Sequence, residues 1–321
     1  MMFVALSVID LVFITIATTH TFVPNVTCGS RGLAQITVAI IVATGRQGHL
    51  VKKNRERRSV QSSSEANKLS NALPKEMMEH TYPILYQVEQ AHWWHVGRRK
   101  IIASFVEEIC SRVKDHRPRI LDVGCGTGAN LLLLSQYGDA EGVDISDDAL
   151  EFCRERGLQK VKSGSAEQLP YEDASFDLVT ALDVVEHLDD DLAGLKEMRR
   201  VLRPGGRALI FVPTFMFLWG LQDDVSNHRR RYRLSQLERV MAEAGFEVER
   251  STYVNFTFFM PILLIRQLMK LTGIKAQSEN NINVPALNGL LGSLLAAERI
   301  PLRYMNLPFG VSGICVARRR D

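Results

Sequence analysis

A chain of 321 residues, 46% hydrophobic and 23% charged, has the make-up of a globular protein with material for one large domain or two smaller ones, and not of a disordered or fibrous chain. Its net charge of +3 is unevenly spread: residues 1–75 hold nine Lys/Arg against three acids, which leaves the rest net acidic and excludes a globally basic, nucleic-acid-binding body. The five cysteines (Cys28, Cys110, Cys125, Cys153, Cys315) make no CxxC pair and no metal-like cluster, so the expectation is a reduced, cytoplasmic setting and no bound metal.

In chain order, residues 1–71 read as an N-terminal extension. The stretch 1–19 is apolar but contains Asp10, the run Leu33 to Ala43 is short for a membrane span, Arg46 to Arg58 is basic, and residues 61–64 resemble a linker. A membrane contact with the basic run at the surface, a targeting segment and a poorly ordered extension all remain open. The organised domain is expected over 72–321. Ile101, Ile102, Phe105, Val106, Ile109 and Val113 recur at helical spacing between Arg98 and Asp115, which predicts an amphipathic helix. Strands are then expected at 120–123, 140–145, 160–162, 176–182 and 207–212, with helices between them at 130–137, 147–156 and 190–202. That alternation predicts a parallel α/β sheet with right-handed crossovers. Pro204-Gly205-Gly206 reads as a helix stop, and Ser235 to Glu238 as a capping box opening a helix that ends at Gly245. Two last strands are expected at 246–253 and 311–318, with an apolar helical insertion over 255–307.

The chemistry starts at Ile120-Leu121-Asp122-Val123-Gly124-Cys125-Gly126-Thr127-Gly128. An apolar strand running into alternating glycines lets backbone N–H groups and a helix N-terminus approach a polar ligand that a Cβ would exclude. Asp144 ends the next strand twenty residues past Gly124, where a carboxylate can accept from ribose hydroxyls. These features point to an adenosine-containing cofactor and leave open which one, since Gly124, Gly126 and Ala129 also satisfy the loose nicotinamide-binding pattern.

Six stretches in order separate the candidates: 121–128, Gly142 to Ile145, Ala166 to Pro170, Ser175 to Val179, Val184 to Leu188, and Arg200 to Gly206. Together they resemble the class I S-adenosylmethionine-dependent methyltransferases, over roughly Trp93 to Arg318. The resemblance implies a Rossmann-like seven-stranded sheet, mostly parallel with an antiparallel last strand, helices on both faces and the helical insertion before the last strand. It further implies that Gly124, Cys125, Gly126 and Gly128 pack against the methionine part of the cofactor, with Asp122 near its amino group. Asp144, with Ile145 beside it, would hold the ribose. Ser165 and Ala166 would lie along the adenine, and Asp183 and Val184 beside the sulfonium. Ser165 departs from the acid common there, and a hydroxyl accepts from the adenine amino group more weakly than a carboxylate.

For the acceptor, His187 follows the fourth strand at the carboxyl edge, and His228, Arg231 and Tyr232 follow the fifth. The two histidines are the candidate proton acceptors, and Arg231 and Tyr232 are candidates for orienting a polar group; a salt-bridged loop is the alternative. His92-Trp93-Trp94-His95 resembles a stretch that precedes the cofactor fold in bacterial-type members, either capping the cofactor or packing the helix. The apolar insertion favours a small, hydrophobic or lipid-linked acceptor over a free sugar or a protein side chain, and the net acidic body argues against a nucleic acid. The expected function is therefore methyl transfer from S-adenosylmethionine by a monomer or homodimer, with peripheral membrane contact open. The competing readings are an NAD(P)-dependent oxidoreductase and a non-catalytic binding protein that keeps the fold.

Overall fold

Seven strands form one sheet in the order β3-β2-β1-β4-β5-β7-β6. In the computed structural model of the chain, residues 81–272 and 285–320 are described, and they belong to a unit running from Pro74 to Asp321. The readings made for residues 1–71 lie outside the described residues. The strands are β1 (Arg119–Val123), β2 (Asp139–Asp144), β3 (Val161–Ser163), β4 (Phe176–Leu182), β5 (Leu202–Pro213), β6 (Phe246–Val254) and β7 (Ser312–Arg319). β1 to β5 pair in parallel, and β7 lies antiparallel between β5 and β6. The parallel part of the sheet is the one expected from the strand–helix alternation, and the antiparallel last strand is the one the family resemblance implies.

Period-2 alternation divides each central strand between two cores. Ile120, Leu178 and Leu209 join a cluster on one face with α2 (Trp93–Cys110), α3 (Ala129–Leu134) and α4 (Asp147–Glu155). Leu121, Val179 and Ile210 join the other, with α5 (Asp191–Val201) and α7 (Leu234–Glu243). Both faces of β4 are covered, which is why its seven residues are all buried and none is charged except Asp177. That carboxylate sits at the strand's first turn, where Arg203 and the Arg119 backbone N–H bond to it at 2.9 and 2.8 Å.

Three boundaries differ from expectation for local reasons. The first long helix begins at Trp93 because the His92 Nδ1 accepts the Trp94 N–H at 3.3 Å and caps it. Pro204-Gly205-Gly206 does not separate helix from strand but lies inside β5 as an irregularity, with Gly205 at φ 74°. Ser235 is not a cap: α7 opens at Leu234, and the Gln236 side chain accepts the Arg233 N–H at 2.8 Å.

α1 (Thr81–Val88) precedes α2, and a short α6 (Leu221–Val225) follows β5. Between β6 and β7 come α8 (Phe259–Thr272), α9 (Pro285–Ala297) and α10 (Arg299–Leu302). α9 packs on α2 through glycines: a Cβ on Gly97 would stand 2.8 Å from Leu295 Cβ and 2.9 Å from the Gly292 carbonyl. Leu264, Leu268, Leu271 and Leu290 on α8 and α9 are exposed. No helix among the described residues is long and apolar enough to cross a membrane.

Candidate active site

The sheet changes direction between β1 and β4, the place where open α/β sheets bind ligands beyond the carboxyl ends of their strands. A cleft of about 690 Å³ lies there, lined by the glycine loop, the ends of β2, β4 and β5, and residues of α1, α2 and α8.

The loop is held in place by its neighbours. The Gly124 and Cys125 N–H groups donate to the Val143 carbonyl at 2.8 and 3.1 Å, and the Gly126 N–H donates to Asp144 Oδ2 at 2.8 Å. Gly124 has φ +67°, and a Cβ there would stand 2.4 Å from Val184 Cγ2. Gly124→Ala is therefore expected to combine a left-handed backbone penalty with overpacking, about 2–4 kcal/mol together. A fall in the urea midpoint at unchanged m-value checks this; an unchanged midpoint would mean that Val184 yields freely.

Cys125, Gly126, Asp144, Ile145, Ser165, Ala166, Asp183 and Val184 all line the cleft together with Gly124. Asp144 is 8% exposed, and besides Gly126 its Oδ1 accepts the Ser146 N–H at 3.0 Å. Burial raises its pKa against these backbone hydrogen bonds. The remaining lone pairs leave it able to accept two hydroxyls. Ser165 Oγ accepts the Glu167 N–H at 3.2 Å. Gly128 and Asp122 stand apart from the cleft lining. Gly128, φ +87°, opens α3 beneath the loop against Cys153 and Leu158. Asp122 is buried at the end of β1, where Thr180 Oγ1 donates to it at 2.6 Å and burial pushes its carboxyl up to about 7 despite that bond.

Several contributors were not singled out from the sequence. Arg98, on α2, pairs with Asp183 at 2.9 Å and lies over the Phe211 ring, 4.6 Å from its centroid. Asp183 has φ 62°, a left-handed turn that swings the chain off the end of β4, where Asp183 lines the cleft. Glu89, buried just before α2, accepts from Thr127 Oγ1 and from Arg156, tying the N-terminal helices to the glycine loop. Trp93 and Trp94 both line the cleft and both pack on the core, so the packing reading of that tryptophan pair holds. The only sequence signal for Arg98 was its nearness to that motif.

At the other end of the cleft the 3₁₀ turn Val185–His187 meets the loop after α6. The His187 and His228 rings stand 4.7 Å apart at 84°. Burial, and then the neighbouring His228, lower the His187 pKa to about 3, against hydrogen bonds from its ring to the Asn227 and Ser226 backbone. A ring held that far down is neutral and a weak proton acceptor. His228 Nδ1 lies 2.8 Å from Asp223 Oδ1, and the same oxygen accepts from Arg231 Nε at 2.7 Å. Burial opposes the ionised form of Asp223, but these bonds outweigh it and hold its carboxyl well below the usual range. Arg231 and His228 line the cleft; Tyr232 does not. Its hydroxyl donates to Asp191 Oδ2 at 2.6 Å beneath α5. Tyr232 is therefore a packing residue: an isolated bridge from Thr214 to Tyr232 extends the chain there, and in extended backbone successive side chains point opposite ways.

Residues 121–210 match the model of a methyltransferase domain. A protein of Mycolicibacterium smegmatis named a probable S-adenosylmethionine-dependent methyltransferase is 31% identical over 186 residues, which cover 56% of this chain and 69% of that protein. The demethylmenaquinone methyltransferase of Staphylococcus aureus is 43% identical over 96 residues, 27% of this chain and 40% of that enzyme. A solved structure of a methyltransferase from Thermotoga maritima aligns at 18% identity over 74% of this chain and 98% of its own, with a TM-score of 0.47.

Proposed function

This chain belongs to the S-adenosylmethionine-dependent methyltransferases, and from that premise we propose that it methylates a small molecule with an apolar body and a polar reacting end. The family decides the cofactor that the glycine turn left open. The observation that carries the acceptor reading is the make-up of the cleft beyond the glycine loop, which is lined by the apolar Trp93, Trp94 and Ile262 and by the polar His228, Arg231 and Arg266. An apolar wall with a few convergent polar groups suits a ligand buried by its greasy part and oriented by its polar one. The insertion that contributes α8 acts in this reading as a cap over the cleft. The named substrate of the Staphylococcus aureus relative, demethylmenaquinone, agrees with a lipophilic acceptor.

A methyl sulfonium is already activated, so the protein's work is alignment and exclusion of water. Asp144 would hold the ribose, the loop at Gly124 to Gly126 would take the methionine end, and Asp183 with Val184 would lie near the sulfonium. The acceptor's electron pair forms the new bond to the methyl carbon while the carbon–sulfur pair returns to sulfur. A base is needed only for an acceptor that must lose a proton, and His228, oriented by Asp223, is better suited to that than His187.

Incubating the protein with methyl-labelled S-adenosylmethionine and a fractionated cell extract tests the proposal. Label is expected in a small product that partitions into organic solvent. Label confined to protein or to the aqueous phase would overturn the acceptor class, and tight binding of S-adenosylmethionine with no transfer to any fraction would favour a non-catalytic binding protein.

A further inference from the structure

Three donor side chains converge beside the cleft, with His187 and His228 lining it and Glu186 buried behind them. One ligand atom each from Glu186, His187 and His228 lies within 4.8 Å of the others. Glu186 is fully buried, and neither of its carboxylate oxygens has a hydrogen-bond partner among the described residues; His228 Nε2 stands 3.9 Å from Oε1. A buried carboxylate in that state costs several kcal/mol unless it is protonated, paired or bound to a metal.

His228 is oriented for the last of these. Asp223 already accepts from Arg231 Nε at 2.7 Å and from the Gly220 N–H at 2.7 Å, so it is an acceptor toward His228 as well. The His228 proton is therefore on Nδ1, and its Nε2 lone pair is the one toward Glu186. A carboxylate fixing the far nitrogen of a histidine is the usual support of a metal-binding imidazole. Asp183, the other acid nearby, is engaged by Arg98 at 2.9 Å.

We propose that Glu186, His187 and His228 bind one divalent first-row transition cation at the acceptor end of the cleft. Donors about 2.1 Å from a tetrahedral metal are about 3.4 Å apart, so the cluster needs only a small contraction. Two imidazoles and one carboxylate suit zinc, iron, cobalt or manganese, and they leave positions open for a further ligand. Because His187 and His228 line the cleft, that ligand is an oxygen of the acceptor. This step rests on the methyltransferase reading: the cation takes the oxygen of an acceptor hydroxyl, whose proton leaves to water. The resulting metal-bound oxyanion forms the O–C bond with one of its electron pairs, the C–S pair returns to sulfur, and an ether and a neutral thioether remain.

Cobalt(II) is the probe. The full chain, stripped with chelator, is titrated with cobalt chloride and followed by the visible d–d band, with S-adenosylhomocysteine binding measured by calorimetry on the same stripped sample. One saturable equivalent of cobalt is expected, displaced by zinc, with affinity weakened on the order of tenfold or more in Glu186→Gln and in His228→Gln. Glu186→Gln keeps the side chain's shape and removes a buried charge, and its thermal transition without metal confirms that it folds. No saturable band at millimolar cobalt, or equal binding by folded Glu186→Gln, overturns the site and identifies Glu186 as a protonated acid. Cobalt binding without S-adenosylhomocysteine binding would instead sink the cofactor-site reading and leave the metal site standing.

Discussion

Asp223→Ala is expected to lower the unfolding free energy by about 3–5 kcal/mol, the cost of removing one partner from a buried ion pair. Asp223 is 0% exposed and accepts from Arg231, His228 and the Gly220 N–H. Arg231 is itself buried and would keep its bond to the Thr214 carbonyl at 3.0 Å while losing its bond to the Asp223 carboxylate. Urea melts of Asp223→Ala and Asp223→Asn check this, with Asn expected to cost less because its carbonyl oxygen still accepts. The pH dependence has a definite sign. A carboxyl held below its unfolded value of about 3.9 contributes stability that is complete above that pH and is lost as pH falls through the lower folded value. The stability difference between wild type and Asp223→Asn should therefore be constant at neutral pH and shrink below about pH 4. A difference that does not shrink, or a variant as stable as wild type, would mean that the Asp223 cluster holds little of the fold together.

The second large effect is on the cofactor. Asp144→Ala is expected to weaken S-adenosylhomocysteine binding by about a hundredfold or more, since two hydrogen bonds to an ionised acceptor are worth roughly 1.5–3 kcal/mol each. Read from sequence, such a residue is a cleft-surface contact whose loss leaves the fold intact. Its bonds to the Gly126 and Ser146 N–H groups change that: the alanine would also leave two backbone donors without their acceptor, at about 1–3 kcal/mol each where they stay buried. Calorimetric affinity and the thermal midpoint should fall together in Asp144→Ala. In Asp144→Asn, whose amide cannot accept on both sides, most of the affinity should still be lost. Unchanged affinity in either variant would remove Asp144 from the cofactor site.

The cofactor half was legible because its determinants are contiguous. The glycine turn, the strand before it and the acid ending the next strand lie within 25 residues, Ile120 to Asp144, and a positive-φ turn demands a residue type that can be read directly. Alternating strands and helices constrain the sheet in the same local way, through side-chain period and crossover handedness. The acceptor half was only partly legible. His187 and His228 were visible as lone histidines near strand ends, but nothing in a linear reading says that rings 41 positions apart stand 4.7 Å from each other. Glu186 passed as part of a cofactor motif, because burial without a partner has no local signature.

Tyr232 and Arg231 illustrate the boundary between the two kinds of information. As neighbours after β5 they look like one polar pair, yet the extended bridge to Thr214 sends Arg231 toward Asp223 and Tyr232 toward Asp191. The sequence by itself determined the sheet and the glycine loop, which rest on short-range periodicity and on backbone conformations that only certain residues allow, and it pointed to the methyl donor only through the six stretches that resemble a known family. Only the tertiary structure decided that Arg98 meets Asp183 and that Glu186, His187 and His228 bring their donor atoms together. Those meetings depend on how loops from different strands close over the sheet edge, and loop closure leaves no period in the chain.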